Sequence, residues 1–163
     1  NQVIGLFVIP ERREIDFNIS TLVLDGVNDP GNLGTIIRLC DWFGIEQLVC
    51  SHNTVDCYNS KVVQSTMGSL KRVSIVYSEL ESFLSRTHLP VYAAIMDGEN
   101  IYEKPLIKSA VIVMGNEANG IRKGILEKIT NSVAIPRFGK SQETESLNVA
   151  TATAILLSEF RRN

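Results

Sequence analysis

Ala134-Ile-Pro-Arg-Phe-Gly-Lys-Ser-Gln-Glu-Thr-Glu-Ser-Leu-Asn-Val149 is the stretch whose reading decides the fold. A short apolar strand, Ser132 to Ile135, runs into Pro136, and a polar loop containing Gly139 follows. Ser146-Leu147-Asn148 then opens a helix that reads as apolar on nearly every side. The first amides of a helix lack intrahelical partners, and Ser and Asn side chains satisfy them. A loop between a buried strand and a buried helix is where an open α/β sheet holds its ligand. A capped helix after an ordinary loop has the same local pattern, so this stretch alone leaves both readings open.

The same unit recurs upstream. Ala110 to Met114 (AVIVM) is the clearest buried strand; it leads into Gly115-Asn-Glu-Ala-Asn-Gly120, with a helix starting near Arg122. Val3 to Ile9 and Thr21 to Val27 also read as buried strands. Residues 28–34 (NDPGNLG) are dense in turn formers and read as a loop. A helix then carries Leu33, Ile36, Ile37, Cys40 and Phe43 at helical spacing and stops at Gly44. Glu46 to Cys50, Arg72 to Val76 and Val91 to Ile95 complete the strands, the last ending at an Asp97-Gly98 turn. Ser60 to Leu70 and Glu79 to Arg86 read as helices. Alternating short strands and helices predict an α/β fold, a mostly parallel sheet with helices on both faces. No repeat or linker divides the chain.

The chain has 163 residues, 44% apolar and 21% charged, which suits one soluble domain with a single core. No apolar run approaches the length of a membrane span. The opening apolar run is short and ends at Pro10, unlike a signal peptide. Asn1 is not a natural start residue, so the chain reads as a domain cut from a longer protein. Cys40, Cys50 and Cys57 are odd in number and lack paired spacing, which points to a reducing compartment. The group Cys50, His52, Asp56, Cys57 matches no zinc spacing. The net charge of −2 argues mildly against nucleic acid. Local pairs (Arg12-Arg13, Lys71-Arg72, Arg122-Lys123, Arg161-Arg162) read as solvated faces unless they cluster in space.

Three strands therefore deliver Gly- and Asn-rich loops at their carboxyl ends: 28–34, 115–120 and 136–146. Gly115, Gly120 and Gly139 permit close backbone approach or positive φ, although each also fits a plain turn. Gly115 and Gly120 have the gap of a P-loop, but Ile121 and Arg122 follow instead of Lys and Ser/Thr. No GxGxxG follows the first strand. His52 and His88 lie outside the glycine loops, so no Ser/His/Asp triad stands out. What remains is a polar set: Asn32, Arg38, Glu117, Ser146 and Asn148. Arg38 also fits an exposed helix arginine, and Glu117 a residue favouring a helix dipole.

Taken together, Asp29-Pro-Gly-Asn-Leu-Gly-Thr-Ile-Ile-Arg38, Val113-Met-Gly-Asn-Glu-Ala-Asn-Gly120, and Ile135-Pro-Arg-Phe-Gly139 with Ser146-Leu-Asn-Val149 resemble the three motifs of the SpoU (TrmH-like) RNA ribose methyltransferases of the SPOUT superfamily. The resemblance covers about residues 21 to 162. It implies a deep trefoil knot at the C-terminus, an exception to the rule that chains do not knot. It implies S-adenosylmethionine as cofactor, and methyl transfer to a ribose 2′-hydroxyl, usually of a guanosine, in rRNA or tRNA. It implies a cytoplasmic homodimer whose active site draws on both subunits, without metal or membrane. Residues 1–20 then read as the end of an upstream region or linker, and 21–163 as the catalytic domain.

By this resemblance Arg38, Asn32, Glu117, Ser146 and Asn148 form the catalytic set. Met114, Gly115, Asn116, Ile135, Pro136, Gly139, Ser146 and Leu147 contact the cofactor. Guanidinium rarely loses a proton, so Arg38 is expected to stabilise developing alkoxide or grip the adjacent phosphate, not to act as a base. Asn32, Glu117, Ser146 and Asn148 would orient Arg38, the ribose and the knot loops. The final helix shows two apolar stripes, Leu147/Ala150/Ala154/Leu157 and Val149/Ala152/Leu156/Phe160, one for the sheet and one for a second subunit. The chain departs from the family in the extra length of Lys140-Ser-Gln-Glu-Thr-Glu145, where Lys140 and Glu143 are candidate substrate contacts, and in Ala150 where many members carry Ser. A non-catalytic RNA-binding or ribosome-assembly factor on the same scaffold is the alternative reading.

Overall fold

A computed structural model describes residues 5, 6, 8, 9, 14–139 and 146–162. Six strands form one sheet: β1 (Thr21–Asp25), β2 (Gln47–Cys50), β3 (Ser74–Tyr77), β4 (Val91–Asn100), β5 (Val111–Gly115) and β6 (Asn131–Ala134). They lie in the order β3-β2-β1-β5-β4-β6, and every pairing is parallel. The helices are α1 (Pro30–Phe43), α2 (Ser60–Thr66), α3 (Leu80–Arg86), α4 (Lys123–Leu126) and α5 (Val149–Arg162).

Alternation along the strands splits the core in two. Leu22, Leu24, Leu48, Ile112 and Met114 face one side, where Ile36, Ile37 and Cys40 of α1 and Leu156, Leu157 and Phe160 of α5 cover them. Val23, Val49, Val111 and Val113 face the other, beneath Phe83 and Leu84 of α3 and Ile125 of α4. Helices on both faces explain why the strands read as continuous apolar runs. Phe17 stacks on Phe83, with Arg86 over its ring, so the residues just before β1 already belong to this layer.

Four sequence expectations change. Of Val3–Ile9, the described residues Gly5, Leu6, Val8 and Ile9 form no strand, and Leu6 and Val8 are almost fully exposed. An apolar run predicts burial, but a strand also needs an edge to pair with. Residues 28–34 are mostly helix: α1 begins at Pro30, with Asp29 as N-cap and proline in the first turn. Turn formers clustered there because they also start helices. Asp97-Gly98 does not end β4, which continues to Asn100 with a register shift against β6 between Ala94 and Glu99. A Cβ on Gly98 would lie 2.5 Å from the Val133 carbonyl carbon, so the bulge needs glycine.

The fourth change concerns α5. Its buried residues Val149, Ala150, Thr153, Leu156, Leu157 and Phe160 make one continuous face, not two stripes. Leu147 is 48% exposed, outside the helix. Alanines at 152 and 154 are only partly covered, so small side chains had inflated the apparent second stripe. The buried face packs on α1 and β5, and Phe160 meets Tyr92 edge-on at 5.1 Å. Leu156→Ala removes a side chain that is 2% exposed and is expected to cost about 2–5 kcal/mol. A urea titration would read this as a lower midpoint at unchanged slope. No helix among the described residues is long and apolar enough to cross a membrane.

Candidate active site at the carboxyl edge of the sheet

The polar residues singled out in the sequence meet beyond the carboxyl ends of β1 and β5. At the start of α1, the Asn32 amide donates to Asp29 Oδ1 at 2.7 Å, which fixes the first turn. The Asn32 side chain is then free to reach outward. Its Nδ2 donates to Glu117 Oε1 at 2.8 Å, and its Oδ1 accepts from Asn148 Nδ2 at 2.9 Å. Asn148 Oδ1 in turn caps α5, accepting from the amides of Ala150 (2.9 Å) and Thr151 (3.2 Å). One hydrogen-bonded chain, Asn148–Asn32–Glu117, therefore joins segments 116 and 85 residues apart.

Glu117 sits on a tight turn. Asn116 and Gly120 exchange backbone hydrogen bonds of 3.0 and 2.8 Å, and Gly120 has φ +66°. Asn116 Oδ1 accepts from the amides of Ala118 and Asn119, while its Nδ2 donates to the Gly26 carbonyl at 2.6 Å. Under the turn lies Asp25, 1% exposed. Its two oxygens accept from Arg122 Nε (2.7 Å) and the Arg122 amide (2.8 Å). A buried carboxylate requires such pairing. Sequence reasoning missed Asp25; the available signal was a carboxylate closing the otherwise apolar strand TLVLD.

Other predicted residues stand apart from this chain of bonds. Met114 is buried at the end of β5, paired in register with Leu24. Gly115 follows it opposite Asp25. Ile135, Pro136 and Gly139 leave β6, two strands from β5; Ile135 packs on the core, and neighbouring Arg137 reaches Met96 of β4. Ser146 and Leu147 are exposed just ahead of the Asn148 cap. Lys140 and Glu143 lie outside the described residues.

Arg38 is the outlier. Six residues past Asn32, it stands about 9 Å along the helix and about 120° around it. It is exposed, and it makes no hydrogen bond or ion pair with the described residues. With Thr35, Leu39, Trp42 and Met67 it lines an open groove of about 650 Å³. Asp41, one turn on, is already committed: Arg72 and Ser69 donate to its carboxyl and hold it below the usual carboxylate range. Trp42 is 84% and Met67 75% exposed beside it. Cys40 and Cys50 offer no nucleophile, since burial pushes their thiols well up. Among the described residues no three metal-ligating side chains gather.

The profile of the SpoU rRNA methylase family matches residues 20–158. The chain is 37% identical over 144 residues to the 23S rRNA (guanosine(2553)-2′-O)-methyltransferase RlmP of Bacillus subtilis, covering 86% of this chain and 57% of that protein. The AdoMet-bound rRNA methyltransferase of Sinorhizobium meliloti superposes with a TM-score of 0.81 at 32% identity, over 88% of this chain and 56% of that one. AviRb, a SpoU methyltransferase of Streptomyces viridochromogenes solved with AdoMet, gives 0.79 at 25% identity, over 91% and 61%. This chain belongs to the SpoU rRNA methylase family. It spans a little over half the length of the relatives it matches.

Proposed function

We propose that this chain is the catalytic part of an RNA ribose 2′-O-methyltransferase that uses S-adenosylmethionine. The observation that carries the reading is the Asn148–Asn32–Glu117 chain, because it ties together all three motif segments at the sheet's ligand-bearing edge. The residues present fit the cofactor: Glu117 offers an exposed carboxylate to a cation, and Leu147 and Ile135 offer apolar surface to an adenine. When bound, the cofactor supplies a methyl group already activated on a sulfonium. The protein's work is then alignment and charge stabilisation.

In this mechanism Asn32 holds the Glu117 carboxylate, which would accept a hydrogen bond from the ribose hydroxyl and take up its proton as the oxygen gains the methyl group and the sulfonium leaves as a neutral thioether. Arg38 stands about 120° around α1 from its own chain's Asn32, so it would act at the site of a second copy, staying protonated and donating to the oxygen as charge develops, or to the adjoining phosphate. Asn148 locks the start of α5 to this arrangement, beside Ser146. Met114, Gly115, Asn116, Pro136 and Gly139 belong to the cofactor's walls. Because Arg38 has no partner among the described residues and lies beside exposed Trp42, a second copy of the chain closes that side, making a homodimer. The passage from β6 at the sheet edge back to α5 on α1 belongs to a trefoil knot, a reading supported by family membership. The catalytic domain takes in residues 21–163, and the enzyme works in the cytoplasm. The relatives' names favour a guanosine of rRNA as the target.

Isothermal calorimetry with S-adenosylhomocysteine is expected to show one site per chain. Mapping of 2′-O-methyl groups in rRNA and tRNA, with and without the gene, is expected to lose one position. A folded chain that binds RNA but not S-adenosylhomocysteine would establish the non-catalytic alternative instead.

A further inference from the structure

A second cavity, of about 340 Å³, opens on the same edge of the sheet over β1, β2 and β3, lined by Ser51, His52, Asn53, Ser78, Glu79 and Arg122. It borders the 116–120 turn that carries Glu117. Gly26 separates them: its carbonyl accepts from Asn116 Nδ2 on one side, and its amide donates to Ser51 Oγ at 2.8 Å on the other. A ribose at Glu117 and a base in this cavity would flank the same turn, with Gly26 between them.

The lining selects among ligands. Arg122 is its permanent cation, but the buried Asp25 carboxylate already neutralises it. Glu79 adds a carboxylate that is 70% exposed. The balance is unfavourable for a phosphate and favourable for a neutral group rich in N–H donors. Glu79 begins α3 without capping it, so both its oxygens remain available as acceptors, with only His52 Nε2 near, at 3.5 Å, among the described residues. Asn53 is oriented: Ser51 Oγ donates to its Oδ1 at 2.6 Å, which makes Nδ2 a donor with no acceptor among the described residues. The cavity thus offers a carboxylate that accepts twice and an amide that donates.

Among the four RNA bases, guanine alone has two adjacent N–H donors, N1–H and the N2 amino group, next to a carbonyl acceptor, O6. We infer that this cavity is the base-reading subsite of the enzyme and takes the Watson–Crick edge of a guanine, with Glu79 accepting from N1–H and N2–H and Asn53 donating to O6. The inference rests on the methyl-transfer reading above and names the residues that select its substrate.

Titration of the isotope-labelled chain with guanosine, inosine, adenosine, cytidine and uridine 5′-monophosphates tests it by NMR. GMP is expected to shift the amides of Ser51 to Thr54, Ser78, Glu79 and Arg122. It should bind about tenfold tighter than the others, inosine included because it lacks the N2 amino group. Glu79→Gln should erase that preference while leaving affinity for S-adenosylhomocysteine unchanged. Equal shifts with all five, no shifts at millimolar nucleotide, or an unaltered preference in Glu79→Gln overturns the assignment. Selective GMP binding without any S-adenosylhomocysteine binding would uphold the subsite and defeat the methyl-transfer reading, so the two fail separately.

Discussion

Arg38→Ala is expected to fold like the parent chain, bind S-adenosylhomocysteine equally well, and transfer methyl groups about a hundred to a thousand times more slowly. The side chain is exposed and makes no bond with the described residues. Surface replacements of this kind change stability by no more than about 0.5 kcal/mol, and alanine is the better helix former. Any large loss in a variant that still dimerises must therefore come from the reaction. On the proposed mechanism Arg38 acts on charge that appears only as the oxygen attacks, so kcat should fall more than the KM for the methyl donor rises. Arg38→Lys should recover only part of the rate, since a single ammonium cannot imitate the planar fork. Single-turnover transfer of labelled methyl to rRNA is the measurement. A rate within a few-fold of the parent would remove Arg38 from the chemistry.

Gly115→Ala should damage the molecule in a different way. A Cβ there would overlap the Gly120 carbonyl carbon and the Ile121 nitrogen and lie 2.7 Å from the Gly120 oxygen. These are backbone atoms, so no side chain can swing aside. The turn must open, and it carries Asn116, Glu117 and the amide of Arg122 that holds Asp25. Overpacking of this kind costs about 1–3 kcal/mol, or roughly 2–12 °C in melting temperature for a chain of this size. Affinity for S-adenosylhomocysteine should fall with it, by about tenfold or more for 1.4 kcal/mol of lost geometry. Gly120→Ala is the control: its Cβ would meet nothing within 4 Å, and only its φ of +66° opposes the change. Melting curves that rank Gly120→Ala as the worse variant would refute this account of the turn.

Much of this architecture could be read from hydrophobic runs. AVIVM and TLVLD announce strands buried on both faces, and helical spacing from Leu33 to Cys40 announces α1. The errors fell where one residue type serves two purposes. Asp29-Pro30 starts a helix as readily as a turn, and Gly98 sits inside a bulged strand as readily as at its end. The site was partly legible as well. Asn32, Glu117 and Asn148 were named from sequence and are bonded together. No periodicity could reveal that bond, since it joins residues from three separate strand–helix junctions. The Asp25–Arg122 pair and the Glu79 cavity were invisible for a like reason: each depends on neighbours across the sheet, and strand order is not written in any one segment.

That strand order also bears on how the molecule is made. β1 pairs along its whole length with β5, Thr21 opposite Val111 through Asp25 opposite Gly115. The first three strands can assemble among themselves as β3-β2-β1, but β1 then presents a bare row of unpaired backbone N–H and C=O groups until β5 has been synthesised. Pairing across so long a gap is slow, and an open strand border recruits other chains. Polypeptides interrupted before residue 111 should therefore clump, and the ribosome must deliver two-thirds of the chain before its middle can be sealed.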